Sequence, residues 1–157
     1  MTAKRGRTGD EADGGPWPLP AHLDLPENRA VGDVLRRRPL YAHSDLADWL
    51  ARVEREIGAD GVHAYCPAPR AYAWEIRHTV AGLVFVVLYG QRAIAMRLPG
   101  VAGTEAREDG ATPDPLFGPD WVVFEAAGIE RIQRWYARAS ALAGAGPSGI
   151  EPQGGLA

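Results

Sequence analysis

Between Gly82 and Tyr89 the chain reads Leu83-Val84-Phe85-Val86-Val87-Leu88, so neither of the alternating faces of an extended segment carries a side chain suited to water. A strand of that kind belongs at the centre of a sheet covered on both sides, and it is far shorter than the roughly 20 residues that a bilayer crossing needs. Gly90-Gln91 then reverses the chain into Arg92 to Leu98, where Ile94, Met96 and Leu98 alternate with Ala93, Ala95 and Arg97. Upstream, Trp74, Ile76 and His78 alternate with Glu75, Arg77 and Thr79. These runs predict an antiparallel meander. Val62 to Cys66, interrupted by Pro67 and Pro69, adds a short edge strand, and Asp120 to Glu125 a further strand, which makes a sheet of four to five strands.

Helical spacing appears on either side of the strands. Ala30, Val31, Val34 and Leu35 recur at that spacing before Pro39, with Arg36, Arg37 and Arg38 where a helix C-terminus favours positive charge. From Ser44, read as an N-cap, to Gly58, read as a stop, Leu46, Trp49, Leu50, Val53 and Ile57 form one apolar stripe. A last amphipathic helix over Gly128 to Leu142 buries Ile129, Ile132, Tyr136 and Ala139 and exposes Arg131, Arg134 and Arg138. The fold class is therefore α+β: an antiparallel sheet packed with an N-terminal helix or helix pair and a C-terminal helix. The connection from Pro99 to Pro119, with a short helix over Val101 to Arg107, is long enough to be functional or mobile.

Residues 1–26 and 144–157 are rich in glycine, proline and charge without period, and are expected to be disordered or extended tails around a single domain at 27–143. The polar N-terminus lacks the apolar stretch of a signal peptide, and a single cysteine, Cys66, precludes an intrachain disulfide; a cytoplasmic location, away from membranes, is expected. The net charge is −3, and from Asn28 to Leu142 basic and acidic residues are equal in number. That balance disfavours a dedicated nucleic-acid binder.

His22, His43, His63 and His78 show no metal-ligand spacing. Gly100-Val-Ala-Gly103-Thr lacks the lysine of a phosphate loop, and the acidic residues Glu105, Glu108, Asp109 and Asp114 have no cation-loop spacing. No catalytic residue, metal or cofactor is expected. His78 reads as a core histidine, and Cys66 as structural. If Trp74, Ile76, His78, Ile94, Met96 and Leu98 all face the helices, then Glu75, Arg77, Thr79 and Arg97 share the opposite face. That face must be covered by the first helix, the long connection, a second subunit or a ligand. Arg77 and Arg97 over an apolar floor would suit a small anionic ligand, while pairing of Arg77 with Glu75 or a neighbouring carboxylate would close the face from within.

Gly82 to Pro99, then Gly118-Pro-Asp-Trp-Val-Val-Phe124 leading into Ile129 to Ala139, resemble the YjbR/MmcQ-like family and the related N-terminal domain of TfoX. Trp121-Val-Val-Phe followed by a helix also looks like small luciferase-like domains. The resemblance spans about Ser44 to Leu142 and implies an α+β fold, sometimes compared with double-wing DNA-binding domains, without catalytic residues to carry across. The function expected is that of a non-enzymatic accessory or binding module, a homodimer through the sheet or a partner of another protein, with Glu75, Arg77, Arg97 and Trp121 as contacts. Two alternatives stand beside it. One is a DNA-associated regulatory domain using Arg36 to Arg38 or Arg131, Arg134 and Arg138; the other is a small enzyme using His63, His78 or Glu75.

Overall fold

A computed structural model describes residues 17–144. Two helices come first, α1 at Arg29–Arg37 and α2 at Ser44–Ile57. Helix α2 begins one residue after its cap. His43 is extended, and its Nδ1 accepts from the Asp45 amide at 3.1 Å, so the imidazole does the capping expected of Ser44. Gly58 closes the helix at φ +69°, a conformation that side chains resist.

The sheet follows, with β1 at Val62–Tyr65, β2 at Glu75–Thr79, β3 at Val84–Tyr89 and β4 at Ala93–Arg97. Helix α3 at Val101–Glu108 precedes β5 at Thr112–Pro113 and β6 at Trp121–Glu125, and α4 at Ile129–Leu142 completes the fold. All pairs are antiparallel in the order β1-β2-β3-β4-β6-β5. The sheet thus has six strands rather than four to five. The extra one, β5, is two residues in a proline-rich connection, too short to show a period.

Both faces are covered from within the chain. On one, Leu46, Leu50 and Val53 of α2 and Ile132, Trp135 and Tyr136 of α4 pack on Val86, Leu88, Ile94, Met96, Val122 and Phe124. On the other, Leu23, Val31, Val34, Leu35 and Phe117 pack on Trp74, Ile76, Val84, Val87, Ala95 and Trp121. Burying each such side chain stabilises by about 1.5–3 kcal/mol. The register shifts between Arg77 and His78, placing Val86 and Val84 as their partners and leaving Phe85 as the extra residue of a bulge. Phe85 meets the Tyr136 ring edge-on at 5.6 Å.

This register corrects the expected division of faces. Ile76 lies opposite Val87, and Val87 opposite Ala95, so Trp74 and Ile76 point away from Ile94, Met96 and Leu98. Both faces of β3 are buried, so alternation alone cannot say which face is which; a one-residue slip exchanges them all.

Residues 17–26 belong with the domain rather than with a tail. Ala21–Asp24 and Pro26–Asn28 form 3-10 turns, and Leu23 is fully buried. The turns are local and proline-started, so they leave no periodic signal, yet one leucine is enough to anchor them. The tails expected at 1–16 and 145–157 lie outside the described residues. The connection after β4 is likewise structured: Ala102 and Ala106 are buried, and Phe117 plugs the α1 side of the sheet. Among the described residues, no helix is long and apolar enough to cross a membrane.

Candidate functional site

Glu75 and Arg77 come together, with a partner that spacing alone does not identify. Arg77 is only 4% exposed. Its Nε donates to Glu54 Oε2 of α2 at 2.7 Å, and its Nη1 donates to Glu75 Oε2 at 2.6 Å and to the Ile76 carbonyl at 3.2 Å. The Tyr136 hydroxyl donates to the same Glu54 oxygen. Burial is the largest single influence on Arg77 and pulls its guanidinium down, but the charges and hydrogen bonds of Glu54 and Glu75 together hold it above the ordinary arginine value. Burial and the Glu54 charge push the Tyr136 phenol well above its usual range. The cluster ties α2, β2 and α4 together. With two carboxylates on one guanidinium, its floor does not favour a small anion.

Arg97 and Trp121 are cross-strand partners on the opposite face, not companions of Arg77. Arg97 Nη1 donates to the Glu27 carbonyl at 3.0 Å, which ties down the second 3-10 turn, and Trp121 is a core residue whose ring lies tilted against Phe117 at 5.5 Å. The expected site of four residues therefore splits between two buried faces. The same register error underlies both misplacements.

Four of the six arginines considered for nucleic acid have intramolecular partners, and Arg37 and Arg38 make no ion pair among the described residues. Arg36 pairs with Asp24 and Asp33, Arg134 with Asp109, and Arg138 with Glu105, while Arg131 donates to the Asp109 carbonyl at 3.0 Å. Cys66 is half-buried, and burial pushes its thiol up, away from nucleophilic character. Asp114 is held by the Leu116 and Phe117 amides, and burial raises its carboxyl; Tyr89, buried beside that charge, is pushed up to about 12. Among the described residues, no three His, Cys, Asp or Glu side chains are placed to hold a metal ion.

Three histidines from different parts of the chain meet, His63 stacked on His78 and His22 tilted against it. His78 lies 4.0 Å from the His22 ring and 5.5 Å from His63, measured between centroids, and its Nδ1 donates to the Thr79 carbonyl at 2.9 Å. Burial first, then the neighbouring His78, lowers the pKa of His22 from 6.5. A histidine with a depressed folded-state pKa binds fewer protons folded than unfolded, so its contribution to stability is lost as the pH falls through 6.5. Urea unfolding from pH 7.5 to 5 is expected to show a declining stability that His22→Phe, which keeps the ring and removes the proton, makes shallower. An unchanged slope in that variant would assign the acid sensitivity elsewhere.

The least internally explained feature lies at the end of the sheet where the chain crosses from α1 to α2. Tyr41 bridges to Ala73 and Ala42 to Gly90, which lays this crossing segment over the ends of β2 and β3. Beside it opens a depression of about 580 Å³ lined by Tyr41, Ala42, His43, Ala71, Tyr72 and Gln91. The two tyrosines stand 54% and 57% exposed. Tyr72 is also the only described non-glycine residue at positive φ, +56°, held there by the 3-10 turn Pro69–Ala71 and by the Ala42 amide donating to its carbonyl at 2.7 Å. Trp17 packs edge-on against Tyr41 at 5.2 Å, extending the aromatic surface. Sequence reading missed this site because Tyr41 and Tyr72 lie outside periodic segments; the one available signal was an aromatic residue beside each proline-rich turn.

The architecture defines an α+β domain with a six-stranded antiparallel sheet between two helical layers. Comparison with family models, with curated proteins and with solved structures finds no match to this chain.

Proposed function

We propose that the protein is a non-enzymatic binding module that takes a flat aromatic group, from a small molecule or from a partner's side chain, between Tyr41 and Tyr72. The observation that carries this reading is the strain at Tyr72. A left-handed conformation costs a side-chain-bearing residue about 1–2 kcal/mol relative to its relaxed state. A ring that is mostly in water recovers little of that cost by packing, so its retention is better explained by what it contacts from outside. Tyrosine offers such a contact an apolar face at low entropic cost and a hydroxyl at its edge. His43 and Gln91 supply polar groups at the rim. The likeness of Gly82 to Pro99 and of Gly118 to Phe124 to the YjbR/MmcQ-like family supports a shared fold as part of this proposal, without residue roles.

The test pairs stability with binding. Tyr72→Gly is expected to leave the melting temperature unchanged or raise it, because glycine accepts the left-handed conformation freely. The same variant, and Tyr41→Ala, are expected to lose binding of planar aromatic fragments screened by ligand-detected NMR. Fragment binding that survives both substitutions would overturn the proposal.

A further inference from the structure

Strand β1 ends the sheet: it pairs with β2 on one side, and among the described residues no strand pairs with its other side. Sheet edges are usually guarded by charge, proline or a bulge. Val62-His63-Ala64-Tyr65 has none of these along its length, with the prolines entering only at Pro67 and Pro69. On the α2 side of this strand, a slot of about 300 Å³ runs between strand and helix, lined by Ala51, Ala59, Val62, Ala64, Arg55 and the Glu54–Arg77 pair. Its walls are small and apolar. Arg77 at its base is answered by Glu54 and Glu75, whereas Arg55 is exposed and makes no ion pair among the described residues.

We propose that β1 and α2 form a groove for an extended acidic peptide, added to the sheet as a further antiparallel strand. An open edge offers a row of N–H and C=O groups that another extended backbone can pair with, and in strand addition the main chain supplies affinity while a pocket beside it reads alternate side chains. The alanine-lined slot takes one small or β-branched side chain, and Arg55 takes a carboxylate nearby. A second copy of this chain fits less well. Its β1 strand, Val62-His63-Ala64-Tyr65, brings no acidic residue for Arg55. This groove is separate from the tyrosine depression, so either proposal can fail alone.

A library of random linear peptides displayed on phage, selected against the full chain, provides the test. The expected outcome is a set of sequences rich in β-branched residues with a recurrent Asp or Glu. Their binding should weaken at least tenfold in Arg55→Glu, recover when the peptide's acid is exchanged for lysine, and weaken also in Ala64→Arg, which fills the slot. Both substituted positions are exposed, so the fold is spared. Amide NMR signals of Val62 to Tyr65 should shift on addition of a selected peptide. Failure to select any sequence, selection without an acidic preference, or binding indifferent to both substitutions overturns the proposal. So does concentration-dependent shifting of the same amides without peptide, which would assign the edge to a second copy.

Discussion

Replacing Arg77 by methionine is expected to destabilise the domain by about 3–5 kcal/mol, the usual cost of removing one partner from a buried ion cluster. For a domain of this size that corresponds to a fall of roughly 10–20 °C in melting temperature. The cause is what remains rather than what is lost. Glu54 and Glu75, with side chains 17% and 19% exposed, would face one another across a site that water reaches poorly. Glu54 would keep only the Tyr136 hydroxyl as a recorded partner. The hydrophobic stem of methionine fills most of the arginine's volume, so a cavity contributes little. Adding Glu54→Gln and Glu75→Gln to Arg77→Met is expected to return much of the stability, since neutral groups of the same shape carry a far smaller desolvation penalty. Urea unfolding of the single, double and triple variants measures this. A loss below about 1 kcal/mol in Arg77→Met would mean that solvent already screens the cluster as it does a surface pair.

That cluster also marks how far sequence reasoning reaches. Strand positions were legible because each run of alternation is local, and α2 and α4 because an apolar stripe at helical spacing needs no tertiary information. Arg77's pairing with Glu75 was legible for the same reason: two residues on one strand, two positions apart and so on the same face. Its second carboxylate, Glu54, comes from a helix more than twenty residues earlier and depends on which face α2 covers. For a strand buried on both sides, that choice is made by pairing register and by the bulge at Phe85, neither of which has a local signature. Arg97 and Trp121 were misplaced by the same uncertainty. The tyrosine depression was hidden differently: it is assembled from two turns and a strand end, where residue identity reflects backbone geometry rather than periodicity. The long connection after β4 was recognisable as unusual, but its role in covering the sheet rests on Phe117, a single aromatic residue in a loop.

Asn28 has the second large expected effect. It is fully buried, and its side chain makes three hydrogen bonds: Nδ2 donates to the His22 carbonyl at 2.7 Å and to the Gly82 carbonyl at 2.8 Å, and Oδ1 accepts from the Val84 amide at 2.9 Å. One amide thus joins the first 3-10 turn to the reversal between β2 and β3. Alanine would leave two carbonyls and one amide without those partners, at about 1–3 kcal/mol for each group that water cannot reach. Because the His22 carbonyl still accepts from the Leu25 amide, Asn28→Ala is expected to cost about 3 kcal/mol. Asn28→Asp should cost more still, because a carboxylate can accept from Val84 but sets a buried charge against both carbonyls. Hydrogen exchange at the Val84 amide should accelerate in both variants. The local consequence bears on function. Residues 17–28 are pinned through Asn28, Leu23 and the Arg97 bond to Glu27, and this segment brings Trp17 onto Tyr41. Asn28→Ala should therefore loosen Trp17 and weaken aromatic binding at the depression even at temperatures where the sheet remains folded. Unchanged stability and unchanged Val84 exchange would mean that the turn is held by Leu23 alone, and that Asn28 is a passenger in its own hydrogen bonds.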